Sequence, residues 1–285
     1  GDGSFTIGYT NQNIDELSGM ASTTANSSYG KYAASDYNNR TAQRSIYETE
    51  HRLFATMSST HYFLGADKPT TFNLYFERKS GLPGTYSWDT YTSRNYGGTA
   101  YQREAFGYEK NLNDDSSHLI YVPTGLTDPN VCWGSCAGAP DLAIANQVLD
   151  MLYNQLGLAS YAGQIVPNGV YEYPWQTSLD LKITQILPGF RAEDEFVISL
   201  GIENLLNLID SDNGEIKYGP FNGKMAVLDM YMNDDFSKYI YPNYKGRGYP
   251  DWAYGFNQSN PKGIRKSAVN SIWRAQLGFT YKFSF

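Results

Sequence analysis

The end of the chain alternates apolar and polar residues without exception. From Trp273 to Phe285 every odd position is apolar or aromatic, and every even position is polar or glycine. This period of two predicts a β-strand with one apolar face. The run is longer than most strands of globular proteins, and it exceeds the about 9–11 residues with which a strand crosses a bilayer.

Similar alternation recurs upstream and predicts seven further strands. It is most regular around Phe72, Leu181 and Ile198, and it is less regular in the segments 51–64, 224–232 and 237–244. The eight predicted strands cover residues 4–12, 51–64, 70–80, 176–188, 195–207, 224–232, 237–244 and 269–285.

The segments between the predicted strands alternate between long and short along the chain. The long ones are 13–50, 81–175, 208–223 and 245–268, and the short ones are 65–69, 189–194 and 233–236. Barrels of bacterial outer membranes have long extracellular loops and short periplasmic turns. We therefore predict an all-β fold, an antiparallel transmembrane β-barrel with a periplasmic C-terminus. The polar residues expected to face its lumen include Asp180, Lys182, Glu203 and Lys282.

The segment 81–175 is too long for an unstructured loop of a compact domain and is predicted to form an extracellular cap. Within it, residues 141–156 follow Pro140 and place Leu142, Ala145, Leu149 and Leu152 at helical spacing. This spacing predicts a short helix inside the cap.

Composition supports many strands and exposed loops. The chain has 25 Tyr, 14 Phe and 27 Gly, with 18% charged residues. Its mean hydropathy of −0.48 is compatible with a barrel, because lipid-facing and lumen-facing residues alternate. No apolar run approaches the about 20 residues of a spanning helix. The net charge of −7 argues against a nucleic-acid partner. No signal peptide precedes Gly1, so we expect a processed chain or an internal fragment.

Few residues suggest catalytic or metal chemistry. Cys132 and Cys136 are predicted to form a small loop disulfide, since no second Cys/His pair lies near them. Asp210, Asp212 and Glu215 are a weak calcium candidate, and an Asx-rich turn is the favoured interpretation of the same residues. Motifs of known hydrolases and nucleotide-binding proteins are absent from the sequence, so we expect neither an enzyme nor a cofactor.

The end of the chain resembles the C-terminal targeting signal of outer-membrane barrels. That signal has a polar residue, a glycine two positions later, and aromatic or apolar residues three and five positions after the glycine. Gln276, Gly278, Tyr281 and Phe283 match it, and Phe285 supplies the terminal aromatic residue. The resemblance implies recognition of the last strand by the barrel assembly machinery, through β-augmentation of its free edge.

A second resemblance is to the TonB-dependent receptors, most of all their Oar-like branch. It rests on residues 175–185 (WQTSLDLKITQ) and 202–209 (IENLLNLI), with shorter matches at 80–83, 118–123 and 161–165. It implies a 22-stranded barrel, of which this chain would be the C-terminal third. It also implies energy coupling by the TonB system through a plug domain, which this chain does not contain.

Three functions are compatible with a barrel in the outer membrane of a Gram-negative bacterium. The favoured one is transport of a large ligand as part of a TonB-dependent, Oar-like receptor. The alternative is a self-contained eight-stranded barrel that acts as an adhesin or structural anchor through its surface loops. A barrel enzyme is disfavoured, since His51, His61 and His118 lack matching partners in the sequence.

Overall fold

In the computed structural model, β-strands are the commonest regular structure of the described residues. The structure describes residues 1–17, 23–24, 28, 32–36, 39–90, 118–219, 223–233, 235, 237–241 and 263–283. The strands of these residues are β1 (Gly3–Asn11), β2 (Asp15–Glu16), β3 (Gln43–Arg44), β4 (His51–His61), β5 (Thr70–Lys79), β6 (Pro83–Thr90), β7 (Val131–Trp133), β8 (Tyr171–Glu172), β9 (Gln176–Pro188), β10 (Glu195–Glu203), β11 (Lys217–Tyr218), β12 (Lys224–Met232), β13 (Tyr239–Tyr241), β14 (Arg265–Lys266) and β15 (Arg274–Lys282).

The longest strands form one six-stranded sheet in the order β1-β4-β5-β9-β10-β15. Every neighbouring pair is antiparallel. Six of the eight predicted strands are therefore confirmed as members of one antiparallel sheet. The first and last strands are its edges, and the described strands do not close into a barrel.

The connections of this sheet are sorted by length between its two ends. The short turns 62–69 and 189–194 lie at one end, and the long segments 12–50, 80–175 and 204–273 lie at the other. The tight turn after β9 requires a glycine, because a Cβ on Gly189 would lie 2.4 Å from the Cβ of Asp194. Its ends are joined by a hydrogen bond from the Gly189 amide to the Asp194 carbonyl, 2.8 Å long.

The two faces of the six-stranded sheet differ sharply in polarity. The apolar face carries the alternate residues Phe5, Ile7, Tyr9, Leu53, Met57, Phe72, Leu74, Phe76, Leu179, Leu181, Ile183, Phe196, Ile198, Leu200, Ile202, Leu277, Phe279 and Tyr281. The polar face carries the residues between them. Every buried apolar side chain of the described residues lies outside these six strands, so the apolar face takes no part in the core.

The core belongs instead to a separate unit, the cap, at the end of the sheet with the long connections. Its five-stranded sheet has the order β7-β13-β12-β6-β8, with parallel pairs β12–β6 and β13–β7. A helix, α1 (Leu142–Asp150), continues into a π-helical turn at Met151–Gln155. The largest fully buried side chains of the cap are Trp133, Tyr86 and Tyr241.

The cap corrects two of the predicted barrel strands. Residues 224–232 and 237–244 were assigned to the barrel, but β12 and β13 lie in the cap sheet. The physical reason is that β12 pairs in parallel with β6 and buries Met225, Leu228 and Met230 in the core, whereas the strands of the six-stranded sheet bury no apolar side chain. Asn233, whose backbone amide donates to the Lys238 carbonyl at 3.0 Å, accordingly belongs to the cap and not to a short barrel turn over 233–236. The count of eight strands in one barrel is wrong.

Other local predictions within the cap agree with the structure. The helix predicted over 141–156 is formed, and the Asp141 carboxylate caps it by accepting bonds from the amides of Ala143 and Ile144, at 2.9 and 3.1 Å. Cys132 and Cys136 are joined by a disulfide. None of the described helices is both long and apolar enough to span a membrane.

A buried histidine makes the cap sensitive to pH. Burial, together with the positive charge of Lys224, lowers the pKa of His118 to about 4. The unfolded chain binds this proton near pH 6.5, so the folded cap is favoured above that pH and loses stability as the pH falls toward 4. We expect a loss of up to about 3 kcal/mol across this window.

The measurement is urea unfolding of the cap between pH 7 and pH 4, followed by near-ultraviolet circular dichroism. His118→Phe keeps a planar ring that does not titrate, and it should flatten the pH dependence. An equal slope in the wild type and the variant would contradict the assignment.

Candidate functional site

Two cross-strand rows of polar residues form a belt across the polar face. The first row runs Ser4–Ser58–Asn73–Lys182–Gly201–Gln276, with each residue opposite the next in register. The neighbouring row contains Thr6, Thr56, Tyr75, Asp180, Glu203 and Arg274. The belt therefore spans all six strands with hydroxyl, amide and charged groups.

The belt contains two adjoining hollows, and Gly201 lines both of them. A groove of about 430 Å³ is lined by residues of both rows from Ser4 to Glu203. A second hollow of about 330 Å³ adjoins it and is lined by Gly201, Glu203, Arg274 and Gln276. A Cβ on Gly201 would meet no atom within 4 Å. The missing side chain thus leaves open space between the two hollows.

The charged groups of the polar face are arranged as solvated pairs. Glu203 pairs with Arg274 across the last two strands at 3.0 Å, and both side chains are more than half exposed. Asp180 accepts a hydrogen bond from the Asn204 amide at 2.8 Å. The four residues expected to share one face (Asp180, Lys182, Glu203 and Lys282) do share it.

Sequence reasoning missed the ion-pair cluster that joins the six-stranded sheet to the cap. The Arg44 guanidinium donates to Glu48 at 2.6 Å, Glu50 at 2.7 Å and Glu172 at 2.8 Å. Glu48 is buried and also accepts a bond from the Ile14 amide at 2.6 Å. One cation thus connects the segment before β4 with the cap strand β8. No local pattern signals it, because Glu172 is 128 residues away.

The cluster shifts the pKa values of Arg44 and Glu172 in the directions expected for paired charges. Burial acts to lower the pKa of Arg44, but the hydrogen bonds to Glu172 and Glu48 outweigh it, and the pKa is raised. Burial acts to raise the pKa of Glu172, yet the hydrogen bond from Arg44 holds that pKa below its ordinary value. Both groups are therefore charged at neutral pH.

The residues of the predicted assembly signal lie on both faces of β15 and just beyond it. Gln276 and Gly278 belong to the polar face, whereas Tyr281 belongs to the apolar face and Phe283 follows the strand. The Tyr281 hydroxyl donates to the Asp194 carboxylate at 2.5 Å and accepts from the Phe190 amide at 3.1 Å. Phe285 lies outside the described residues.

The residues of the calcium candidate belong to two separate features. Asp210 and Asp212 lie in a turn, whereas Glu215 forms ion pairs. Asp210 accepts hydrogen bonds from the Asp212 amide at 3.1 Å and the Asn213 side chain at 2.7 Å, which is an Asx-type turn. Glu215 pairs with Lys217 at 3.0 Å and with Lys266. Within the described ranges, no group of three or more acidic, His or Cys side chains is placed to hold a metal ion.

One serine–histidine contact resembles part of a hydrolytic site. Ser59 Oγ lies 2.7 Å from His61 Nε2, on the apolar face near the short turns. A nucleophile of this kind needs a third group that orients the imidazole. No side chain of the described residues forms a hydrogen bond with His61 Nδ1 in that role, and we propose no hydrolytic chemistry for this pair.

Comparisons with protein-family models, with curated proteins and with solved structures find no match to this chain. Its interpretation therefore depends on its own geometry. The polar belt offers hydrogen-bond donors, hydrogen-bond acceptors and exposed charges to polar solutes. The apolar face on the other side can contact only an apolar environment without cost.

We predict that Arg44 is required for docking of the cap. Arg44→Met would leave the buried Glu48 carboxylate without its cation and beside two further carboxylates. We expect it to lower the free energy of unfolding by about 3–5 kcal/mol. Arg274→Met removes an exposed pair and should cost less than about 1 kcal/mol. The free energy of unfolding of both variants can be measured by urea unfolding, with resistance to protease as the readout. Equal losses of stability in the two variants would contradict the special role of Arg44.

Proposed function

We propose that the six-stranded sheet is part of the wall of an outer-membrane β-barrel transporter, with the cap on the extracellular side. The observation that carries this proposal is the exposed apolar face. Phe5, Ile7, Leu277 and Phe279 are each about 60% exposed or more. Apolar faces of soluble sheets are normally covered, and one of this extent marks contact with a membrane or a partner.

Aromatic residues border this face at both ends, as in membrane barrels. Tyr9, Trp175 and Trp273 form the cap-side girdle, and all three side chains are more than 40% exposed. The turn-side girdle contains Phe63, Phe190, Tyr281 and Phe283, in which ring centroids of Phe190 and Tyr281 are 5.6 Å apart. Aromatic belts of this kind sit at the two membrane–water interfaces of outer-membrane barrels.

The distance between the girdles fits the thickness of a membrane. Trp273 and Phe283 are ten residues apart on and beside β15. At about 3.3 Å per residue they are separated by about 33 Å along the strand. A strand tilted by about 40° then spans about 25 Å, which is the height of the apolar band in such barrels.

The arrangement of the connections supports an orientation. All long connections and the cap lie at one end of the sheet, and only short turns lie at the other. Outer-membrane barrels place their long loops outside the cell. In this orientation the polar belt faces the lumen, and the strands needed to continue the wall pair with the free edges of β1 and β15.

The exposure of side chains on the polar face favours transport over a barrel whose interior is filled by side chains. Interiors of eight-stranded barrels are packed with side chains, whereas Glu203 and Arg274 are more than half exposed beside the two open hollows. Together with the sequence resemblance to TonB-dependent, Oar-like receptors, this supports a wide barrel that moves a large ligand. In such a receptor a plug domain would couple the barrel to the TonB system.

The membrane assignment can be tested with a pair of adjacent residues on opposite faces. Both cysteines of the chain are in the disulfide, so a single added cysteine can be labelled with an environment-sensitive fluorophore. We expect the label at Phe279→Cys to be quenched by lipids brominated on the acyl chain, and the label at Thr280→Cys to be quenched by aqueous iodide instead.

The two positions share the same strand and depth, so each is the control for the other. Quenching of both labels by iodide alone would contradict a membrane wall. Quenching of the Thr280→Cys label by the brominated lipid would reverse the assignment of the two faces.

The transport assignment can be tested at Gly201, where there is room for a side chain. Gly201→Trp should fill the groove and reduce uptake or export of at least one solute, compared in intact cells by mass spectrometry. Gly201→Ala is the matched control and should transport normally, because its Cβ meets no atom. A protonophore should abolish the same flux if TonB energy is used. An unchanged solute profile with a correctly inserted barrel would favour an adhesin or anchor.

A further inference from the structure

A single charged residue interrupts the apolar face of the six strands. Arg78 lies near the end of β5 and shares its face with Phe72, Leu74 and Phe76. Its register partners are Leu53 of β4 and Thr177 of β9. Within these strands it is the only Asp, Glu, Lys or Arg on that face, and it is exposed.

Arg78 rests on part of the cap-side girdle. Its guanidinium carbon lies 5.5 Å from the ring centroid of Trp175. Trp175 stacks on His51 at 6.0 Å between centroids, and His51 stacks on Tyr9 at 6.1 Å. The Tyr9 hydroxyl lies 2.8 Å from His51 Nδ1, which fixes the two rings relative to each other. The cation therefore lies at the end of a stack of three rings, Trp175, His51 and Tyr9, at the border of the apolar face. We call this stack the aromatic shelf.

The nearby carboxylates are engaged by other cations. Glu77 pairs with Arg52 at 2.7 Å, on the polar side of the sheet. Glu50 pairs with Arg44 at 2.7 Å and lies 3.2 Å from His51 Nε2. Among the described residues, no carboxylate oxygen lies within ion-pair distance of Arg78. Arg78 is also exposed, so its N–H donors are accessible from the surroundings of the girdle.

We infer that Arg78 and its aromatic shelf bind the phosphate of an anionic lipid headgroup in the leaflet on the cap side. The inference rests on the proposed function, because only a membrane wall brings this face to lipids. A guanidinium presents paired N–H donors that match two phosphate oxygens, and it stacks on aromatic rings. The girdle sits at the depth of the headgroups, where a phosphate can reach the cation while the acyl chains cover Phe76 and its neighbours.

The test uses the full-length protein in bilayers that contain phosphatidylcholine or phosphatidylglycerol, each brominated on the acyl chain. The readout is the quenching of tryptophan fluorescence by the brominated chains. The part of this quenching that disappears in Trp175→Phe comes from Trp175 and reports on lipid next to the site. We expect phosphatidylglycerol to quench Trp175 more effectively than phosphatidylcholine. Arg78→Gln should reduce this preference by roughly threefold to fivefold, and Arg78→Lys should retain part of it.

Arg52→Gln is the matched control, because Arg52 lies at the same height on the neighbouring strand and on the opposite face. It should leave the lipid preference unchanged. If Trp175 is quenched but Arg78→Gln has the preference of the wild type, the phosphate site is overturned, Arg78 is only an interfacial cation, and the membrane wall stands. If neither brominated lipid quenches Trp175, the proposed membrane wall is itself overturned.

Discussion

The antiparallel hydrogen-bond ladder of the six-stranded sheet is the constraint on which the rest of the structure depends. Pairing in register turns alternate side chains of all six strands to the same side. The ladder thereby collects apolar residues into one continuous face and polar residues into the other. Among the described residues neither face is covered by the core, and the proposed membrane wall would place lipid on the apolar side and water on the polar side.

The cap differs from the six-stranded sheet in where its apolar residues lie. It buries its apolar residues in the ordinary way, with parallel strand pairs, a helix and a disulfide-closed loop around Trp133 and Tyr241. The cap therefore has its own core, whereas the sheet would depend on lipid in the proposed wall. Arg44 joins the segment before β4 to the cap strand β8, because its guanidinium pairs with Glu48, Glu50 and Glu172.

The polar belt and the apolar face give the sheet two separate roles within the proposed wall. The belt presents hydroxyls, amides and solvated ion pairs around Gly201, which suits contact with water and polar ligands. The opposite face, with aromatic rings at both borders and Arg78 beside Trp175, suits lipid chains and headgroups. The same strands serve both roles because a one-residue step along a strand moves from one face to the other.

The sequence by itself determined the strands of the sheet, its sorting of connections and the helix after Asp141, because alternation, spacing and capping are local signals. It also placed Asp180, Lys182, Glu203 and Lys282 on one face, because side chains alternate between the two faces along a strand. Only the tertiary structure decided that residues 224–232 belong to the cap, because an apolar strand fits either a wall or a buried core until its pairing partner is known. The Arg44 cluster and the Arg78 shelf likewise depend on contacts between distant segments, which no local pattern encodes.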